Sequence, residues 1–183
     1  MIQPDLTFRS NVSPYSTLTS LAYVQTKPGG TNLPVLQGEN SDNILFRIYN
    51  NFALNTGIAT ALNLFLTCYD GPTSVSHTAN FTPVSQSWIH VLENMYGEST
   101  PSVSYNFTSY VGTDTPIGGV PAGTNKYYPE VGSDGVTGQS RIRAGSNNAG
   151  YGFVEVKTYA AVPVAATNNT YTFAISANYE WSS

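Results

Sequence analysis

The sequence predicts an all-β chain folded as an antiparallel β-sandwich, and three observations carry that expectation. The first is the stretch from Tyr171 to Trp181, which alternates without a break. Tyr171, Phe173, Ile175, Ala177, Tyr179 and Trp181 share one face, and Thr172, Ala174, Ser176, Asn178 and Glu180 share the other. A period of two over that length is a strand with one buried face. The second is the spacing of the other apolar runs, each short and closed by Gly, Pro, Asn or Ser, the pattern of packed antiparallel sheets. The third is composition: 40 % hydrophobic residues and 13 Tyr in a chain of 183, with only 10 % charged residues, against roughly 25 % charged in an ordinary soluble domain. Such a chain can bury a core without staples beneath a polar, weakly charged surface.

Residues 1–17 read as a polar amino-terminal arm and residues 18–183 as a single domain. Leu18 to Gln25 is a strand candidate, ended by Pro28-Gly29-Gly30. Ile44 to Tyr49 alternates Ile44, Phe46 and Ile48 against Leu45, Arg47 and Tyr49. Ala61 to Tyr69 is apolar on both faces, which predicts a central strand, and Asp70-Gly71-Pro72 ends it. Trp88 to Tyr96 fits a helix stopped by Gly97 or a strand, and the pattern leaves both open. Val103 to Val111, rich in Tyr, Phe, Thr and Val, is a strand candidate. Gly152 to Tyr159 sets Phe153, Glu155 and Lys157 against Val154, Val156 and Thr158. Leu64, Leu66, Phe173 and Ile175 are expected in the core, on the apolar faces of their strands.

Between them, 112–150 is one long Gly/Pro-rich excursion dominated by Gly, Pro, Thr, Ser and Asn. A stretch of that length without structure is unusual inside a compact domain, so it is expected to be either a functional excursion or a contact arm, and its deletion is expected to leave the sandwich folded. It holds Tyr127 and Tyr128, with Tyr110 just ahead of it. Either one of these rings folds back onto the sandwich, or they form a contact patch for a partner.

From Phe46 to Gly71 the chain runs through a strand, the turn Asn55-Thr56-Gly57, then Ala59, Ala61 and Asn63 into an apolar strand, and finally Tyr69-Asp70-Gly71. This segment resembles immunoglobulin-like β-sandwich domains of the cell-adhesion-related type. The resemblance implies an immunoglobulin-like sandwich; the strand spacing also admits a jelly roll. It further implies a surface protein, an extracellular filament or a virion decoration, and it carries over no catalytic residue.

Several chemistries find little support. The net charge is −4 with seven Lys and Arg, so a basic face for nucleic acid is not expected. No run is long and apolar enough for a membrane span. Cys68 is the only cysteine and lies in an apolar run, so an intrachain disulfide is impossible and a buried thiol is expected. His77 and His90 are the only histidines, without H-E-x-x-H, C-x-x-C or a G-x-S-x-G elbow. A Ser-His-Asp set can be composed around His90 on paper only, and Glu93 and Glu98 have nothing to place them across a cleft. Calcium would find turn carboxylates only at Glu130, Asp134 or Asp70, with no EF-hand loop. Sequons occur at Asn11, Asn80, Asn106 and Asn168 and matter only where a glycosylation system is met. Residues 1–17 lack the basic start and apolar centre of a secretion signal. That is the expectation for a protein folded in a host cytoplasm, or for one whose leader has been removed.

The function expected from these observations is a non-enzymatic structural subunit of a symmetric assembly, a virion capsid or decoration protein. It would contact identical subunits and other structural proteins of the particle, with no cofactor. Tyr110, Tyr127 and Tyr128 are its candidate contact residues. One alternative is an extracellular filament subunit or adhesin built by β-strand complementation. Another is a carbohydrate-binding module that presents Tyr127, Tyr128 or Trp88 to a sugar face.

Overall fold

A computed structural model describes residues 1–70, 82–98, 114–121, 123–129, 141–145 and 152–182, and for residues 92–98 the backbone only. The described residues form nine strands: β1 (Leu6–Ser10), β2 (Val24–Lys27), β3 (Thr31–Pro34), β4 (Ile44–Asn50), β5 (Leu62–Tyr69), β6 (Ile89–Glu98), β7 (Thr115–Ile117), β8 (Gly152–Ala160) and β9 (Ala174–Glu180). All strand pairs are antiparallel. The largest sheet has the order β1-β4-β8-β6-β7; β2 pairs with β3, and β5 with β9. The ambiguous segment 88–96 is therefore a strand from Ile89 onward, since pairing with β8 supplies the partner its pattern allowed. The expected strand Val103–Val111 lies outside the described residues.

Alternation places the core. Phe46 and Ile48 of β4, Val154 and Val156 of β8, and Ile89 and Val91 of β6 turn one way and are buried. They meet Leu64, Leu66 and Cys68 of β5 in one cluster. Leu64 and Leu66 are thus core residues, as expected, while Phe173 and Ile175 are partly buried against the margin of that cluster. The buried face expected for Tyr171–Trp181 is correspondingly half-exposed: the strand starts only at Ala174, and every residue from Ala174 to Tyr179 is intermediate in burial. The cause is position, because β9 pairs with β5 on one side and with no described strand on the other.

The opposite face of the large sheet is covered as well. Arg47 and Glu155 face each other in register and form a buried ion pair at 2.8 Å. The Arg47 guanidinium lies 4.5 Å from the Phe153 ring and 4.9 Å from the Tyr15 ring. Arg9 lies 3.6 Å over Phe52, which meets Tyr49 edge-on. Burial opposes the charge on Arg47, and hydrogen bonds to Tyr49 and Glu155 outweigh it, so its proton is held more firmly than usual.

Within residues 1–17, Leu6–Ser10 is the strand β1, paired with β4, and Ile2 bridges Ile58. Several described parts of the 112–150 excursion pack onto the strands. Thr115–Ile117 is β7, paired with β6; Tyr127 bridges Leu66, and Ile142 bridges Ala61. Ile117, Tyr127 and Ile142 all join the core cluster. The reason is that a single large apolar residue can anchor a small-residue segment with no periodicity to announce it. Asn50, fully buried, secures one such anchor: its amide donates to the carbonyls of Ala59 and Ile142, each at 2.9 Å. Gly152 permits the same approach, because a Cβ there would collide with the Arg143 carbonyl. The remaining parts of the excursion lie outside the described residues.

Candidate functional site

The strand expected at Leu18–Gln25 forms only from Val24 onward. Residues 18–23 run unpaired beside the start of β9, apart from the Leu18 amide, which donates to the Phe8 carbonyl at 2.9 Å. The two segments do not close on each other. Between them lies an open cleft of about 420 Å³ lined by Phe8, Leu18, Thr19, Ser20, Leu21, Tyr23 and residues 171–175. Tyr23 stands at its inner wall, stacked on Phe173 with centroids 6.0 Å apart. Its hydroxyl is 2.8 Å from the Thr158 hydroxyl, and burial pushes its pKa well above the usual phenol range. Among the described residues, none that lines the cleft is charged.

Among the described residues, the adjoining edge of β9 carries little of the usual protection against strand addition beyond a register shift in its pairing with β5. Natural sheets blunt their edges with charge, proline, bulges or covering segments. Among the other edges here, β1 carries Arg9 and is overlaid through the Arg9–Thr17 bridge, and β7 is three residues long and contains Pro116. β9 has seven residues, no proline, and a single charge at its last residue, Glu180, whose carboxylate accepts from the Asn63 amide at 2.6 Å.

A second feature is the β2–β3 hairpin, turned at Pro28-Gly29-Gly30 with positive φ at both glycines. Its root is fastened: the Thr26 amide donates to the Asp42 carboxylate at 2.7 Å, and the Gln25 amide to Glu39 at 2.6 Å. All of β3 is exposed. Leu33 and Leu36 are 41 % and 54 % exposed, and nearby Val164 is 79 % exposed.

The residues singled out from sequence are separated by the fold. Tyr127 is buried in the core, its backbone exchanging hydrogen bonds with Leu66 at 2.7 and 2.9 Å. Tyr128 points outward at 53 % exposure, tilted on Phe65 with centroids 5.7 Å apart. Tyr110 lies outside the described residues, as do His77, Glu130 and Asp134. Trp88 is buried against Tyr171, so of the three aromatics proposed for sugar contact only Tyr128 is exposed. Cys68 is fully buried, and burial pushes its thiol well above the ordinary range.

His90 has a partner that sequence reasoning missed. Its Nδ1 lies 2.9 Å from Asp114 Oδ1, and the Tyr159 hydroxyl donates to the other oxygen of that carboxylate at 2.8 Å. The His90 and Tyr159 rings stack at 5.0 Å. Burial first, then the bond to Asp114 and its charge, push Tyr159 up to about 12. His90 opens on a shallow depression of about 560 Å³ that also holds Ser85 and Ser87. A carboxylate-oriented imidazole is two-thirds of a nucleophilic triad. However, the Ser87 hydroxyl accepts from the Asn125 amide at 2.8 Å, and among the described residues no hydroxyl bonds to His90. Nor do three described His, Cys, Asp or Glu side chains gather there as a metal site. No spacing signal links His90 to Asp114; only the antiparallel pairing of β6 with β7 brings them together.

No helix among the described residues is long and apolar enough to cross a membrane. No family model, curated protein or solved structure matches the chain.

Proposed function

We propose that the chain is a β-sandwich, with β5–β9 as the layer facing the large sheet, and that it serves as a non-enzymatic structural subunit of a symmetric assembly. The carrying observation is the β9 edge, uncharged along nearly its whole length and bordering an open apolar cleft. An edge of that kind is a template for another strand, and a cleft lined by Leu18, Leu21, Phe173 and Ile175 gains by being covered. The weakly charged surface lets identical copies approach with little repulsion. A virion capsid or decoration protein is the kind of particle this composition suits. An extracellular filament subunit completed by strand addition uses the same cleft.

The test is sedimentation velocity across a concentration series, followed by electron microscopy of whatever forms. Closed shells, rings or fibres support the reading. A monomer at every soluble concentration overturns it.

A further inference from the structure

We propose that β9 pairs antiparallel with β9 of a second copy of this chain, across a twofold axis through Ala177. This inference rests on the assembly reading above and names the contact that would build it.

The hydrogen bonds of β5 fix which backbone groups β9 has to offer. Leu66 exchanges both of its backbone hydrogen bonds with Tyr127, at 2.7 and 2.9 Å. It lies opposite Ala177 in register, so the two form a non-hydrogen-bonded pair of the ladder. The bonds between β5 and β9 therefore run through the alternate positions Ala174, Ser176 and Asn178. The amides and carbonyls of Ile175, Ala177 and Tyr179 point away from β5, and no described backbone group bonds to them on that side.

This edge is complementary to itself. Ala177 is the midpoint of Ala174–Glu180, so a twofold axis there pairs all seven residues of the strand. Ala177 then meets Ala177 of the second copy, and Ile175 meets Tyr179, each as a pair that exchanges hydrogen bonds. Every outward backbone group from Ile175 to Tyr179 gains a partner. Ile175, Ala177 and Tyr179 share the face that packs on the core cluster, and they meet their like. Beyond the strand, the same register sets Trp181, 38 % exposed, opposite Phe173 at the cleft. On the other face Ser176 meets Asn178. The single charge of the strand, Glu180, lies opposite Ala174 and at the far end from its copy. Two chains of net charge −4 thus meet along an edge that places no like charges face to face. The contact is isologous, so it closes at two copies and leaves other surfaces free for further assembly.

The test follows amide hydrogen exchange residue by residue by NMR in the parent chain across a concentration series, with sedimentation velocity as the measure of association. Ser176 and Asn178 bond to β5 and are expected to be protected at every concentration. Ile175, Ala177 and Tyr179 are expected to exchange fast in the monomer and to slow about tenfold or more as copies pair. In parallel, Ser176→Cys and Asn178→Cys chains are mixed under mild oxidation. The pairing sets these residues directly opposite, at about 4.5 Å between Cα atoms, within disulfide reach. Two copies of either variant alone meet only diagonally, at about 7–8 Å. The mixed disulfide is therefore expected to exceed both single products, and buried Cys68 does not compete. Association that leaves Ile175, Ala177 and Tyr179 exchanging fast, or that shows no preference for the mixed disulfide, overturns the β9 pairing and leaves the assembly reading standing. Protection of these three amides already in the monomer overturns the pairing as well. A chain that stays monomeric at every soluble concentration overturns both.

Discussion

Ile142 separates two views of the Gly-rich segment 112–150. Were the segment a loop lying on the surface, Ile142→Ala would change stability by no more than about 0.5 kcal/mol. In the structure Ile142 is fully buried within the core cluster. Its backbone exchanges hydrogen bonds with Ala61 at 2.9 and 3.0 Å, and its carbonyl accepts from the Asn50 amide at 2.9 Å. Alanine keeps those backbone bonds, so the loss isolates the side chain. Removing a buried Ile leaves a cavity among Ile, Leu and Val neighbours and costs about 2–5 kcal/mol. At roughly 2–4 °C per kcal/mol for a chain of this size, the melting temperature falls by about 4–20 °C. The assay is urea and thermal unfolding followed by circular dichroism. Val120→Ala, in the same segment but 61 % exposed, serves as the control and is expected to stay within about 0.5 kcal/mol. Equal small effects for both variants would refute the anchoring of this segment in the core.

Glu155→Ala removes the carboxylate that lies 2.8 Å from the buried Arg47 cation and is expected to cost about 3–5 kcal/mol in urea unfolding, whereas replacing both residues with leucine is expected to be far milder; equal losses would refute this. Cys68 is expected to resist thiol reagents until the chain unfolds, because its thiolate is disfavoured by burial, and fast labelling of the native protein would contradict that. The Tyr159 phenol, raised in the fold to about 12, favours the folded state below its unfolded value near 10 and loses that contribution as pH climbs through about 12. Tyr159→Phe should therefore flatten the alkaline limb of a stability-against-pH curve, and an unchanged limb would sink the assignment. His77→Ala and His90→Ala are expected to leave assembly intact, with electron microscopy as the readout; loss of particles from a normally folded variant would reveal a role for the side chain.

The elements legible in the sequence are those whose burial repeats along the chain. Phe46 and Ile48, or Leu64 and Leu66, recur every second residue because a strand offers its faces alternately to core and surface, and each pair is buried where the alternation put it. Asp70 and Gly71 likewise announce the end of β5 through backbone preference alone. Other features depend on contacts between residues far apart in the chain, and local pattern does not encode those. Ile117 and Ile142 stand singly among small residues, and only their meeting with Leu66 and Val154 in one cluster makes them core. The alternation of β9 promised a buried face, but burial depends on neighbours on both sides, and among the described strands β9 has one. The cleft exists because residues 18–23 and 171–175, about 150 positions apart in sequence, run side by side without closing. His90 meets Asp114 only through strand pairing. Periodicity and turn chemistry are properties of neighbouring residues, so the sequence by itself determined strands such as β4, β5 and β8 and the end of β5. Which edges stay open, and which isolated side chains fill the core, is decided by long-range pairing, and that appears only in the tertiary structure.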